Sequence, residues 1–163
     1  MDFFKVAIDI ERMVENHYRN LAEECSGDRG ITTIMTMLAD DHKKHRISFQ
    51  QMKNEENVLP LPETPAFSEA KEVFSEMKKK QEPYTCDVNQ VTHYKKALEL
   101  VKHKVKVYNK ALKSIEDDAQ KKVLERIIAE EKKQEDILRN IIEMVNRPKT
   151  WLEDAEVYHL DEY

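Results

Sequence analysis

The sequence predicts an all-α protein: a bundle of four long helices, with an extended crossover between the second and the third. Three observations carry this. Only two of the 163 residues are Gly, while 36% are Asp, Glu, Lys or Arg. That balance suits long amphipathic helices and leaves few turn residues for a β-sandwich. Four segments repeat apolar residues at three- and four-residue spacing, the mark of one buried helical face. Between the second and third of them, Pro60, Pro62 and Pro65 forbid a continuous helix.

The first helix is expected from about Asp2 to Glu24, with Phe3, Ala7, Ile10, Val14, Tyr18 and Leu21 on its inner face and Glu11 within that face. Ser26-Gly27-Asp28-Arg29-Gly30 supplies a turn. The second helix runs to about Lys53 and buries Ile31, Ile34, Leu38, His42, His45, Phe49 and Met52. Residues 54–87 form the crossover, with a short helix over Phe67 to Lys80 closed by Pro83. Asp87 with Gln90 and Asp117 with Gln120 read as capping boxes for the third and fourth helices. The third helix turns Tyr94, Leu98, Val101, Val105, Tyr108 and Leu112 inward, and the fourth Val123, Ile127, Glu131, Gln134, Leu138, Ile141 and Val145. The bundle thus spans 1–147. The tail, 148–163, carries Trp151, Leu152, Val157, Tyr158 and Leu160 and is too apolar to stay undocked.

Composition narrows the function. A formal charge of −5 argues against nucleic acid as a partner. No apolar run is long enough for a membrane span, and the N-terminus lacks a secretory pattern, which points to a cytoplasmic protein. Cys25 and Cys86 are too few for a disulfide framework and are expected as reduced thiols. No pattern for haem or nucleotide is read.

The centre of the bundle is where chemistry is expected. The facing polar layer reads Glu11, His42, His45, Val101, Glu131 and Gln134. His42 and His45 lie three apart, as do Glu131 and Gln134, so each pair points one way from its helix. Bundles that hold two metals between carboxylates draw one Glu from each of two helices and a Glu-x-x-His pair from each of the others. Here that frame persists with half of its residues changed. Two imidazoles and two carboxylates suit a single Fe or Zn ion. The plain alternative is a layer whose polar groups satisfy one another. Tyr18 and Tyr108 read as core aromatics whose hydroxyls find partners, with redox-active tyrosines as the alternative. Lys95, Lys102, Lys106 and Lys113 form a solvated stripe on the third helix. His17, His93, His103 and His159 show no ligand spacing and read as surface residues.

Several segments together resemble the rubrerythrin-like branch of the ferritin-like superfamily. They are Glu11 with Tyr18, Leu38-Ala39-Asp40-Asp41-His42-Lys43-Lys44-His45, Ala97-Leu98-Glu99 leading to Tyr108, Ile128-Ala129-Glu130-Glu131-Lys132-Lys133-Gln134, and Arg147-Pro148-Lys149-Thr150-Trp151 with Ala155-Glu156. The resemblance implies a ferritin-like four-helix bundle, two irons handling oxygen or peroxide, and a homodimer. By position, Glu11 and His45 match ligands, His42 stands where a bridging Glu would be, and Glu131 matches the other bridging Glu. Val101 replaces a Glu ligand and Gln134 a His ligand. The resemblance therefore implies a degenerate site holding at most one ion through Glu11, His42, His45 and Glu131. Rubrerythrins proper also carry a four-cysteine iron module, which two cysteines cannot build, so electrons would come from a separate protein donor. Three functions follow as expectations: a one-metal protein with little turnover, a metal-free interaction module, and a peroxide- or oxygen-handling oxidoreductase.

Overall fold

A computed structural model describes residues 2–153, except the side chain of Val88. The described residues form α1 (Phe3–Glu24), α2 (Arg29–Lys53), α3 (Ala66–Lys79), α4 (Val91–Leu112), α5 (Asp118–Asn146) and α6 (Pro148–Glu153), with a 3₁₀ turn at Val88–Gln90 before α4 and no strand among them. Helices α1 and α2 pack as one hairpin and α4 and α5 as another, and α3 lies in the crossover against α2, α5 and α6. This is the expected ferritin-like all-α bundle. No described helix is long and apolar enough to cross a membrane.

Local chemistry fixes the helix ends. Asp2 accepts the amides of Phe4 and Lys5, Asp28 that of Ile31, and Asp117 that of Gln120, each satisfying N–H groups that the first turn leaves unpaired. The expected cap at Asp87 is different. Its carboxylate takes the Asn89 amide at 2.9 Å within the 3₁₀ turn, and Gln90 Oε1 has no hydrogen-bond partner among the described residues. The ends of α2 and α3 are each closed by a residue in the left-handed region, Glu55 at φ 57° and Gln81 at φ 54°. Each is followed by an amide reaching back five residues, Glu56 to Gln51 and Glu82 to Met77, as in a Schellman cap.

Gly30 does not serve the turn that the sequence suggested. It lies in the first turn of α2, and a Cβ there would stand 2.9 Å from Met77 Sδ and 3.1 Å from a Val73 methyl. The residue is small because α3 approaches closely.

The expected inner faces of α2 and α5 are buried throughout. Helix α4 differs at two positions. Val105 and Leu112 are only half-buried, and Lys104 is sealed in the place of Val105 at 1% exposure. Residues 94, 97, 101, 104 and 108 follow a regular three-four alternation, which keeps one stripe facing the bundle axis. The tail docks through Trp151, whose indole N–H donates to Asn140 Oδ1 at 3.0 Å while its ring meets Phe74 edge-on. The expected contributions of Val157, Tyr158 and Leu160 lie outside the described residues.

The expectation of two free thiols is overturned. Cys25 and Cys86 form a disulfide that ties the α1–α2 turn to the end of the crossover. Asp28 strengthens the same junction, accepting the Thr85 amide at 3.0 Å. Sixty-one positions separate the cysteines, so only the folded crossover brings them together.

Candidate metal centre

The polar layer lies midway along the four helices. Glu11 comes from α1, His42 and His45 from α2, Glu131 and Gln134 from α5, all buried. One ligand-type atom from each of Glu11, His42, His45 and Glu131 falls within a 4.8 Å sphere of mutual distances. These are the four residues picked from sequence. Val101 is buried too and offers no donor atom.

Both imidazoles are held from outside and aimed inward. His42 Nε2 is 2.9 Å from Gln134 Oε1, and His45 Nε2 is 2.7 Å from Glu130 Oε2. Each outer nitrogen therefore donates, and each Nδ1 turns to the carboxylates. His42 Nδ1 stands 2.6 Å from Glu11 Oε2 and 3.6 Å from Glu131 Oε1. His45 Nδ1 stands 3.7 and 3.5 Å from the same two oxygens and has no hydrogen-bond partner among the described residues. Glu131 Oε2 is likewise unpaired. Metal-bound histidines are oriented in this way, with the far ring N–H given to a carboxylate or carbonyl. An ion bound tetrahedrally at about 2.0–2.2 Å separates its ligand atoms by roughly 3.3–3.6 Å. Three of the four contacts lie at or just beyond that spacing, and the fourth, His42 to Glu11, is drawn in to hydrogen-bond length. The donor set fits one transition-metal ion.

A fifth residue enters that sequence reasoning missed. Lys104 reaches from α4 to place its ammonium 2.8 Å from Glu11 Oε1, 2.7 Å from Glu131 Oε1 and 3.1 Å from His42 Nδ1. The signal was its place three residues after Val101, masked by the apolar Val105 beside it. Tyr108 donates to Glu11 Oε1 at 2.7 Å, which makes it a core aromatic with a partner. Tyr18 stacks on the His42 ring at 5.3 Å, and its hydroxyl has no hydrogen-bond partner among the described residues. Glu130 was read only as part of a motif, yet it orients His45. The lysine stripe is otherwise as expected, with Lys95, Lys106 and Lys113 exposed and Lys102 half-buried. Among the other histidines, His17 is half-buried and bonds the His93 carbonyl at 3.2 Å, His93 and His103 are exposed, and His159 lies outside the described residues.

These contacts set the electrostatics. Burial alone would push the carboxyl of Glu11 upward, but Lys104 and His42 outweigh it and hold Glu11 well below the usual range. Glu131 is lowered against burial by the same two neighbours and by the nearby His45 ring. Burial would lower His45, yet the hydrogen bond to Glu130 and the nearby carboxylates of Glu11 and Glu131 raise it well above the ordinary imidazole value. Burial raises both tyrosines, and the nearby carboxylates add to it.

A model of the rubrerythrin family matches residues 2–142. The chain belongs to the rubrerythrin family. No curated protein and no solved structure matches it. In this rubrerythrin the centre is asymmetric. The α1–α2 side presents two imidazoles and a carboxylate, while the α4 side presents a valine and an ammonium. A cavity of about 150 Å³, lined among others by Asp41, Thr64 and Arg126, reaches Glu130 and Gln134, the outer partners of the two histidines.

Proposed function

We propose that this rubrerythrin binds one divalent ion, Fe or Zn, through Glu11, His42, His45 and Glu131, and uses it with little redox turnover, as a binding or sensing protein. The observation that carries this is the orientation of the two imidazoles. Both Nε2 atoms are held by Gln134 and Glu130, and both Nδ1 atoms converge on the carboxylates. An orphaned, buried His45 Nδ1 is costly unless something occupies it. A bound ion would supply Lewis acidity and, if it is iron, a single electron. The chain's residues would bind it, orient the imidazoles and, through Tyr108 and Lys104, hold Glu11 ionised.

Peroxide reduction shared by two irons needs a second ligand set, and Val101 withholds it. Turnover should therefore fall below the roughly 1–10³ per second typical of enzymes. Pairing as a homodimer, and reliance on a separate protein electron donor if any turnover occurs, belong to the same reading through the family.

The test is elemental analysis and calorimetric titration of protein purified without added metal, followed by anomalous diffraction with Fe²⁺ or Zn²⁺. One ion per chain is expected. Two ions at full occupancy, or none at saturating metal near neutral pH, would overturn the reading.

A second reading has its own observation. Lys104 already neutralises one charge of the carboxylate pair, and His45 is biased toward its charged form. A metal-free, charge-balanced interaction module would look the same, and the absence of any bound ion in that titration selects it.

A further inference from the structure

We propose that the Lys104 ammonium is the second cation of this centre, a charge carried by the chain that takes the place of a second metal ion and limits the site to one. The inference deepens the one-ion reading and rests on it.

The geometry is that of two carboxylates facing two cation positions. Glu11 gives Oε1 to Lys104 and turns Oε2 toward His42 and His45. Glu131 Oε1 lies between the two positions, 2.7 Å from Lys104 and 3.5 to 3.6 Å from the two imidazole Nδ1 atoms, and Oε2 is unpaired among the described residues. An ammonium has three N–H donors. Lys104 donates to two carboxylate oxygens, Glu11 Oε1 and Glu131 Oε1 at 2.8 and 2.7 Å, and its third contact is His42 Nδ1 at 3.1 Å, which accepts when that nitrogen carries no proton. The longest of these is the contact that a metal on His42 Nδ1 would replace. The flexible lysine stem carries a compact charge to the layer, and the Tyr108 ring lies 5.6 Å from it.

Charge points the same way. Two carboxylates and one ammonium sum to −1, and one divalent ion brings the layer to +1 with neutral imidazoles. A second divalent ion would meet the ammonium at the same two oxygens and raise the sum of these groups to +3, and the one other carboxylate in contact with the layer, Glu130, stands behind His45 rather than beside that position. One turn before Lys104, Val101 offers no ligand that could compensate. A missing ligand and a supplied cation on the same helix face are one coherent change.

The experiment compares Zn²⁺ stoichiometry, by calorimetry and by elemental analysis after gel filtration, in four proteins. These are the wild type, Val101→Glu, Lys104→Met and the double variant Val101→Glu/Lys104→Met. Circular dichroism checks helix content, and the double variant is also refolded with Zn²⁺ present. Restoring the ligand alone should add no ion, because the new carboxylate pairs with Lys104. The double variant should bind one ion more than the wild type. A second ion in Val101→Glu, or no extra ion in a folded double variant, would overturn the proposal. If the double variant does not fold even with Zn²⁺, Lys104→Met decides. Saturating Zn²⁺ should raise its melting temperature by more than it raises that of the wild type, and an equal or smaller rise refutes the role of Lys104. The wild-type count is a separate outcome. Zero ions there, with one in the double variant, would refute the one-ion reading and leave Lys104 as the cation substitute.

Discussion

Lys104 Nζ lies 2.8 Å from Glu11 Oε1, and neither side chain reaches solvent. A buried ion pair of this kind is weak evidence for net stability, because desolvation offsets much of the attraction. Breaking it from one side is another matter. Lys104→Met would leave Glu11 and Glu131 buried without their main counter-charge. In metal-free protein the expected loss is about 3–5 kcal/mol, read from urea unfolding. A loss under 1 kcal/mol would mean that the carboxylates are compensated by some other group.

The pH dependence has two limbs of opposite sign. Glu11 and Glu131 are lowered on folding, so their contribution is full above the unfolded carboxyl value and is lost as pH falls through the folded ones. His45 is raised on folding, so its contribution is full below the unfolded imidazole value and is lost as pH rises through the folded one. Metal-free protein should therefore be most stable on the acid side of neutrality and weaken toward alkaline pH. Metal binding must displace the His45 proton, so affinity should keep rising with pH beyond the ordinary imidazole value of about 6.5. Calorimetry in buffers of different ionisation enthalpy reads the released proton. An affinity that is flat from pH 6 to 8 would contradict the His45 assignment.

Gln134 stands where the resemblance expects a ligand, yet it acts from outside the layer by holding His42 Nε2 at 2.9 Å. Outer partners of metal-bound histidines are typically worth about 10–100-fold in affinity. Gln134→Ala should weaken metal binding by that order, and Glu130→Ala likewise through His45. His45→Ala should abolish binding. Titration calorimetry separates these, and wild-type affinity in Gln134→Ala would show that His42 needs no support.

Trp151 docks α6 by burying its ring against Phe74 and bonding Asn140. Trp151→Ala should cost about 3–5 kcal/mol, the usual range for deleting a buried large aromatic. Denaturant unfolding measures it. A change below 1 kcal/mol would mean that the tail is an appendage of the bundle.

The disulfide closes a long segment. For cysteines 61 positions apart, chain-entropy reasoning gives about 4 kcal/mol of stabilisation. Intact mass under non-reducing conditions should show the bond, and Cys25→Ser/Cys86→Ser should lower stability by roughly that amount. Free thiols in protein handled without reductant would restore the reading made from sequence.

Much of the fold was legible because its signals are local. The periodicity of α2 and α5, the cap at Asp117 and the break at the crossover prolines each lie within a few neighbouring residues. The layer was legible as well. Glu11, His42, His45 and Glu131 sit at spacings that turn them to one axis, and they do converge. The reading slipped where two residues competed for one face. In α4, apolar Val105 looked like the inner residue and charged Lys104 like part of a solvated stripe. Burying a lysine is costly unless acids surround it, and those acids are contributed by α1 and α5.

By itself, then, the sequence determined which four long segments are helical, which faces of α2 and α5 turn inward and which four residues meet at the centre, since these follow from periodicity along a single helix. Only the tertiary structure decided what those residues meet. It brought Lys104 into the place facing Glu11 and Glu131, set Glu130 and Gln134 behind the imidazoles, closed Cys25 onto Cys86, and gave Gly30 its reason in the approach of α3. Each of these is a contact between residues far apart in the chain, where the free energy of a charge or a bond depends on groups that no local pattern records.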